Sequence, residues 1–122
     1  MKLGPRYPLT FAEATDKGRS LVSLGTIPKG STIEIAPVQV LPPDLAEIIN
    51  AYHLDAFVYW NYNRIVTLAI PLGLFGLCNH SDRPNAKLSI DPRHRLVKLA
   101  SLRRILSGEE ITIKYRKPSR VY

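Results

Sequence analysis

The sequence predicts a mostly-β domain with about one substantial helix. Apolar residues fall in short alternating or β-branched runs of strand length. Only one stretch has helical spacing, and ten prolines break the rest into irregular connections. A chain of 122 residues with 45% apolar and 22% charged residues is a single globular domain, 1–122, with a modest core. No internal repeat or low-complexity linker stands out.

The elements follow in order. Residues 20–24, "SLVSL", read as a short strand, and "GTIPKGS" is a turn set by Gly25, Pro28 and Gly30. "TIEIAPVQVL" alternates, with Ile33 and Ile35 and then Val38 and Val40 against their neighbours. Pro37 interrupts it, which predicts a strand that bends or lies on an edge. In "PPDLAEIINAYHL", Asp44 and Glu47 have capping-box spacing, and Leu45, Ile48, Ile49 and Tyr52 fall at i, i+3, i+4 and i+7. This predicts a helix of about three turns. "NRIVTLAI" is a β-branched strand. "NAKLSI" and "HRLVKLASL" form a pair joined at the turn "DPRH". "SGEEITIKY" is a turn at Ser107 and Gly108, then a strand with Ile111, Ile113 and Tyr115 on one side.

The net charge is +7, and the excess is confined to the last third. Residues 1–80 hold six Lys/Arg against six Asp/Glu, and residues 81–122 hold eleven against four. Such a patch suits nucleic acid, an anionic membrane or an acidic partner, or is simply a solvated face. No run of residues is apolar for long enough to span a bilayer, and the start of the chain has no secretory pattern. The single cysteine, Cys78, forbids an internal disulfide. The expected location is cytoplasmic, or nuclear in a eukaryotic or viral host.

"GLCNHSDRPN" places dense hydrogen-bonding capacity directly after an apolar run. Cys78 and His80, two apart, point the same way on an extended chain, but no third group orients them as a nucleophile–base pair. His53, His80, His94 and Cys78 share no metal-ligand spacing, so no metal is expected. Alone, the segment is a turn whose Asn and Ser cap backbone groups.

Three stretches in order change that reading. "DKGRSLVSLGTIPKGSTI" is similar to an opening G-x-G-L-F-A followed by I-x-K-G-E-x-I. "NHSDRPN", residues 79–85, is similar to N-H-S-C-x-P-N. "GEEITIKY", residues 108–115, is similar to G-E-E-[IL]-T-x-x-Y. Together they resemble the SET-domain family of protein lysine methyltransferases over residues 15–115, with 116–122 as a basic tail. The brevity resembles the minimal members of large DNA viruses and bacteria.

The resemblance implies small curled sheets and a C-terminal pseudoknot. That pseudoknot brings the Asn-His segment against the closing tyrosine, about thirty residues away. It also implies methyl transfer from S-adenosylmethionine to a lysine of a protein substrate, with Tyr115 as catalytic residue and part of the cofactor site. Lys17, Gly18, Arg19, Ser20, Cys78, Asn79 and His80 are the implied cofactor residues. Carbonyls around 75–78 are implied to accept weak C–H···O contacts from the methyl. Leu77, Phe57, Tyr59 and Tyr122 are the implied substrate-channel residues.

Three departures follow. Ser20 stands in place of the second glycine, where unusual backbone angles would be strained. Asp82 replaces the motif's cysteine, and no C-x-C follows Tyr115, so the zinc cluster of many relatives is not expected. Tyr122 or a homodimer partner would then close the channel. Phe57 stands near a channel position that is often tyrosine. The competing reading is a non-catalytic SET-like binding module that uses its basic C-terminal face on nucleic acid or acidic protein.

Overall fold

The computed structural model describes residues 2–14, 18–51 and 58–115. The strands are β1 (Gly4–Pro5), β2 (Leu9–Ala14), β3 (Gly18–Ser23), β4 (Thr32–Val40), β5 (Val58–Tyr62), β6 (Ile65–Pro71), β7 (Asn79–His80), β8 (Ala86–Asp91), β9 (Leu96–Ser101) and β10 (Glu110–Ile113). One helix, α1 (Pro43–Ala51), and a 3₁₀ turn at Leu74–Leu77 complete the described elements. The larger sheet runs β5-β6-β4-β9-β8 with β1 beside β4, and the smaller runs β2-β3-β10-β7. Leu21, Ile27, Ile33, Phe75, Val97, Leu99, Ile105 and Ile111 fill the core between them. Each such side chain is worth about 1.5–3 kcal/mol when fully buried.

The β8–β9 hairpin forms as its sequence predicts, in register from Ala86↔Ser101 to Asp91↔Leu96. A second hairpin, β5–β6, turns at Asn63 and Arg64, both left-handed at φ 52 and 64. Left-handed φ at both central residues matches the twist of the flanking strands.

Strand β4 departs from the expected edge position. It lies at the centre of the larger sheet, with β9 along one side and β1 then β6 along the other. Pro37 is tolerated because it stands between the stretch paired with β1 (Glu34, Ile35) and that paired with β6 (Val38 to Val40). Its carbonyl still accepts from the Leu72 amide at 3.1 Å. The break in alternation comes earlier, at a register shift between Thr32 and Glu34. From there Glu34, Ala36 and Val38 point inward, with Val40 packed against the same core, while Ile35 is turned from it.

Helix α1 starts at Pro43, a favoured first position, so Asp44 lies in the first turn instead of capping it. The stripe expected to be buried is partly solvated: Leu45 and Ile48 are 42% and 58% exposed. Ala46 makes the contact instead, in a small cluster with Leu41 and Leu68. A small residue lets so short a helix sit close to β6.

A repeat not apparent in the sequence emerges in three dimensions. Residues 23–30 and 101–108 form two arches with the shared pattern S-L-x-x-I-x-x-G. Ile27 and Ile105, both fully buried, exchange backbone hydrogen bonds of 2.8 and 2.9 Å. The Gly30 amide donates to Ser101 O at 3.0 Å, and the Gly108 amide to Ser23 O at 2.7 Å. Both glycines are left-handed, at φ 76 and 84. A side chain at either would strain the turn. The second arch launches β10, which carries the candidate site.

Candidate active site

Strand β10 is antiparallel to β3 on one edge and parallel to β7 on the other, with Thr112 opposite Asn79 and Ile113 opposite His80. Parallel pairing of two such short segments requires support, and side chains supply it. Asn85, 1% exposed, donates through Nδ2 to Glu110 O at 2.7 Å and accepts at Oδ1 from the Thr112 amide at 2.8 Å. Its amide thus occupies the place of a neighbouring strand residue on β10. The Ser81 amide donates to Ile113 O at 2.9 Å. The 79–85 segment therefore wraps β10 at both ends, which brings the two motifs together as the resemblance implies.

This wrapping brings Tyr115 onto the Asn-His segment. The Tyr115 hydroxyl donates to Cys78 O at 2.5 Å, and its backbone N–H donates to His80 Nδ1 at 2.9 Å. The two rings lie 5.5 Å apart, tilted by 57°. Tyr115 is half-buried and packs against the core, as does Leu77. Asn79 Nδ2 donates to Arg19 O at 3.0 Å and to Glu110 Oε2 at 2.8 Å. That joins β7 to β3, where Gly18 has φ 75 and open space where a Cβ would stand. The Arg19 guanidinium lies over the Phe11 ring, 5.2 Å from its centroid. Ser20 is buried and bears no strain, because its φ is negative; its hydroxyl donates to Ala12 O at 3.3 Å.

Electrostatics remove the thiol as a nucleophile. Burial pushes the Cys78 thiol far up, and the Glu34 and Glu110 carboxylates push it further. The backbone carbonyl of Cys78, not its sulfur, faces the tyrosine. Among the described residues no group of His, Cys, Asp or Glu is placed to hold a metal ion.

Two supporting residues are new. Glu34 is 2% exposed and accepts from the amides of Leu74 at 3.0 Å and Phe75 at 2.8 Å. It thereby satisfies the free N–H groups at the start of the 3₁₀ turn that ends at Cys78. A Cβ on Gly73 would fall 2.4 Å from Ala36 Cβ and 3.0 Å from Glu34, so only glycine lets the turn come this close. The available signal was a carboxylate within an apolar strand run, but the alternation as read put it outside. Asn85 was visible only as the last residue of a motif. Of the expected site residues, Gly18, Arg19, Ser20, Leu77, Cys78, Asn79, His80 and Tyr115 converge here. Lys17, Phe57 and Tyr122 lie outside the described residues. Tyr59 is described only as the backbone of β5, paired with Leu68.

A wrapped β10, an Asn-His segment paired in parallel with it, and a tyrosine on a buried carbonyl define a class. The chain belongs to the SET-domain family, whose pattern matches residues 18–116. It is 31% identical over 112 residues to a Schizosaccharomyces pombe histone-lysine N-methyltransferase, H3 lysine-37 specific, covering 90% of this chain and 74% of that protein. A solved Plasmodium falciparum structure, described as a candidate histone methyltransferase, superposes with a TM-score of 0.71 at 25% identity. That match covers 91% of this chain and 95% of the other.

Proposed function

We infer that the chain is a protein-lysine N-methyltransferase that draws its methyl group from S-adenosylmethionine. The observation that carries this is the Tyr115 hydroxyl held on Cys78 O at 2.5 Å, beside the parallel pairing of β7 with β10. The residues fit the cofactor. Gly18 leaves open space where a side chain would stand, and Arg19 can meet a carboxylate. Both hydrogens of the Asn79 amide are spent on the protein, so its Oδ1 is the atom suited to accept from an α-ammonium.

S-adenosylmethionine, when bound, supplies a sulfonium methyl for in-line transfer to a neutral amine. The chain's task is placement. With its proton committed to Cys78 O, the Tyr115 oxygen acts toward a lysine amine as an acceptor, without adding net charge. The backbone bond to His80 holds the ring from its other end. Leu77, beside Cys78, offers apolar surface for a lysine stem. Positioning of this kind can supply several kcal/mol.

The substrate is proposed to be a lysine-bearing protein, with an H3-type tail the first to try by likeness to the Schizosaccharomyces pombe relative. The chain is expected to work in the nucleus or cytoplasm, and no helix among the described residues is long and apolar enough to cross a membrane. Calorimetric titration with S-adenosylmethionine should show saturable binding. Mass spectrometry of lysate proteins incubated with labelled cofactor should show lysine methylation. Absence of heat and of any thermal shift would overturn the reading.

One observation favours an added binding role. Lys87, Arg93, Arg95 and Lys98 are all exposed on the β8–β9 hairpin, whose one carboxylate, Asp91, is bonded to His94 at 2.9 Å. This ribbon suits a nucleic-acid backbone. If all four cations reach phosphates, duplex DNA binding should weaken with salt at a log–log slope of about −3.6. A homodimer that closes the channel is a further proposal, checked by sedimentation.

A further inference from the structure

The geometry points to Asp82 as a positioning residue that acts on Tyr115 through the His80 ring. The inference rests on the reading of Tyr115 as the residue at the transfer point. A backbone N–H can only donate, so the Tyr115 amide, 2.9 Å from His80 Nδ1, requires a lone pair on that nitrogen. The imidazole is therefore neutral, with its hydrogen on Nε2. Nε2 lies 3.0 Å from Asp82 Oδ1, which accepts that hydrogen. One chain of hydrogen bonds thus runs from Asp82 through the ring to the backbone of Tyr115.

The carboxylate is held where it can do this, although its side chain is 89% exposed. The Ser81 amide is fixed to Ile113 O at 2.9 Å, and Ser81 Oγ accepts from the Arg83 amide at 3.1 Å. These two bonds fix the turn on either side of Asp82 and tie it to β10. Without the acceptor, the ring is free to place its hydrogen on Nδ1 or to turn over. Either change sets donor against donor at the Tyr115 amide, or leaves that amide unpaired, and loosens the backbone that carries the phenol. The motif's usual cysteine offers no comparable acceptor at this position. Asp82 thus gives this chain its own brace at a position that many relatives commit to a zinc cluster.

The test compares Asp82→Ala with Asp82→Asn, which keeps Oδ1 as acceptor. Nitrogen NMR of the His80 ring in the wild type should show a hydrogen-free Nδ1 and a protonated Nε2. Asp82→Ala should move both signals toward a tautomer mixture and lower kcat about three- to fivefold, the scale of exposed bonded pairs. Its cofactor Kd and substrate KM should stay within about twofold, while Asp82→Asn keeps wild-type signals and rate. Wild-type signals and kcat in Asp82→Ala, or equal loss in both variants, would overturn the proposal. Tyr115→Phe separates the two readings. Full activity in that variant removes the role of the phenol, while the dependence of the ring signals on Asp82 still stands or falls by itself.

Discussion

The two arches share a backbone and differ in what they serve. Both place a buried Ile at the crossing and a left-handed Gly at the exit. The first leads into β4, which has strands on both sides. The second leads into β10, which has β3 on one edge and, among the described residues, only two-residue β7 and the Asn85 amide on the other. That sparsely filled edge is where Asn79, His80 and Tyr115 meet. The bracing is also unequal. Ser101 and Ser107 of the second arch donate across to Pro28 O and Leu24 O of the first, whereas the Ser23 hydroxyl bonds within its own arch, to Gly25 O. At matching positions after the glycines, Glu34 supports the 3₁₀ turn and the Thr112 amide donates to Asn85. The same turn chemistry thus builds both frame and site, and the partner strands distinguish the two.

The comparison can be broken at its shared point first. Ile27→Ala and Ile105→Ala should each cost about 2–5 kcal/mol by urea denaturation, with a double mutant short of the sum because the two residues are in contact. Costs that differ severalfold would mean that the arches are not equivalent supports. Asn85→Ala sharpens the contrast at the edge of β10. It removes the Asn85 bonds to Glu110 O and Thr112 N and should cost about 1–3 kcal/mol in the same assay. It should also lower methyl transfer more than any substitution confined to the first arch.

The smallest effect is acidic. Glu109 directly follows the second arch, and the residue that follows the first is Ser31. Its bond from the Leu106 amide holds the carboxyl below its usual 4.5; burial opposes the shift, and Arg103 and Asn85 reinforce it. A lowered folded value means stability that is present above the unfolded value and lost as pH falls through the folded one. Thermal unfolding between neutral pH and the acid side of 4.5 should therefore show a shallower loss in Glu109→Gln than in the wild type. Parallel curves would remove this contribution.

Much of the site was legible because its chemistry is sequence-local. "NHSDRPN" and "GEEITIKY" each carry their residues at short spacing, and the β8–β9 hairpin follows from its turn. The rest depends on register and on contacts between distant segments. A single irregularity between Thr32 and Glu34 turns a charged residue inward, and alternation alone cannot show a one-residue shift. The helix stripe misled because α1 covers its sheet with Ala46, leaving Leu45 and Ile48 outward. The arches escaped notice because four shared residues in eight are too few to read without the reciprocal bonds that give them meaning.

The central claim is that the Tyr115 hydroxyl positions the reacting amine while the cofactor is held elsewhere. Parallel measurement of S-adenosylmethionine affinity by calorimetry and of single-turnover methyl transfer in Tyr115→Phe tests it most directly. We predict unchanged affinity and transfer reduced about 10²-fold, the scale of a lost preorganised hydrogen bond at the reacting centre. Transfer at the wild-type rate with cofactor bound would contradict it.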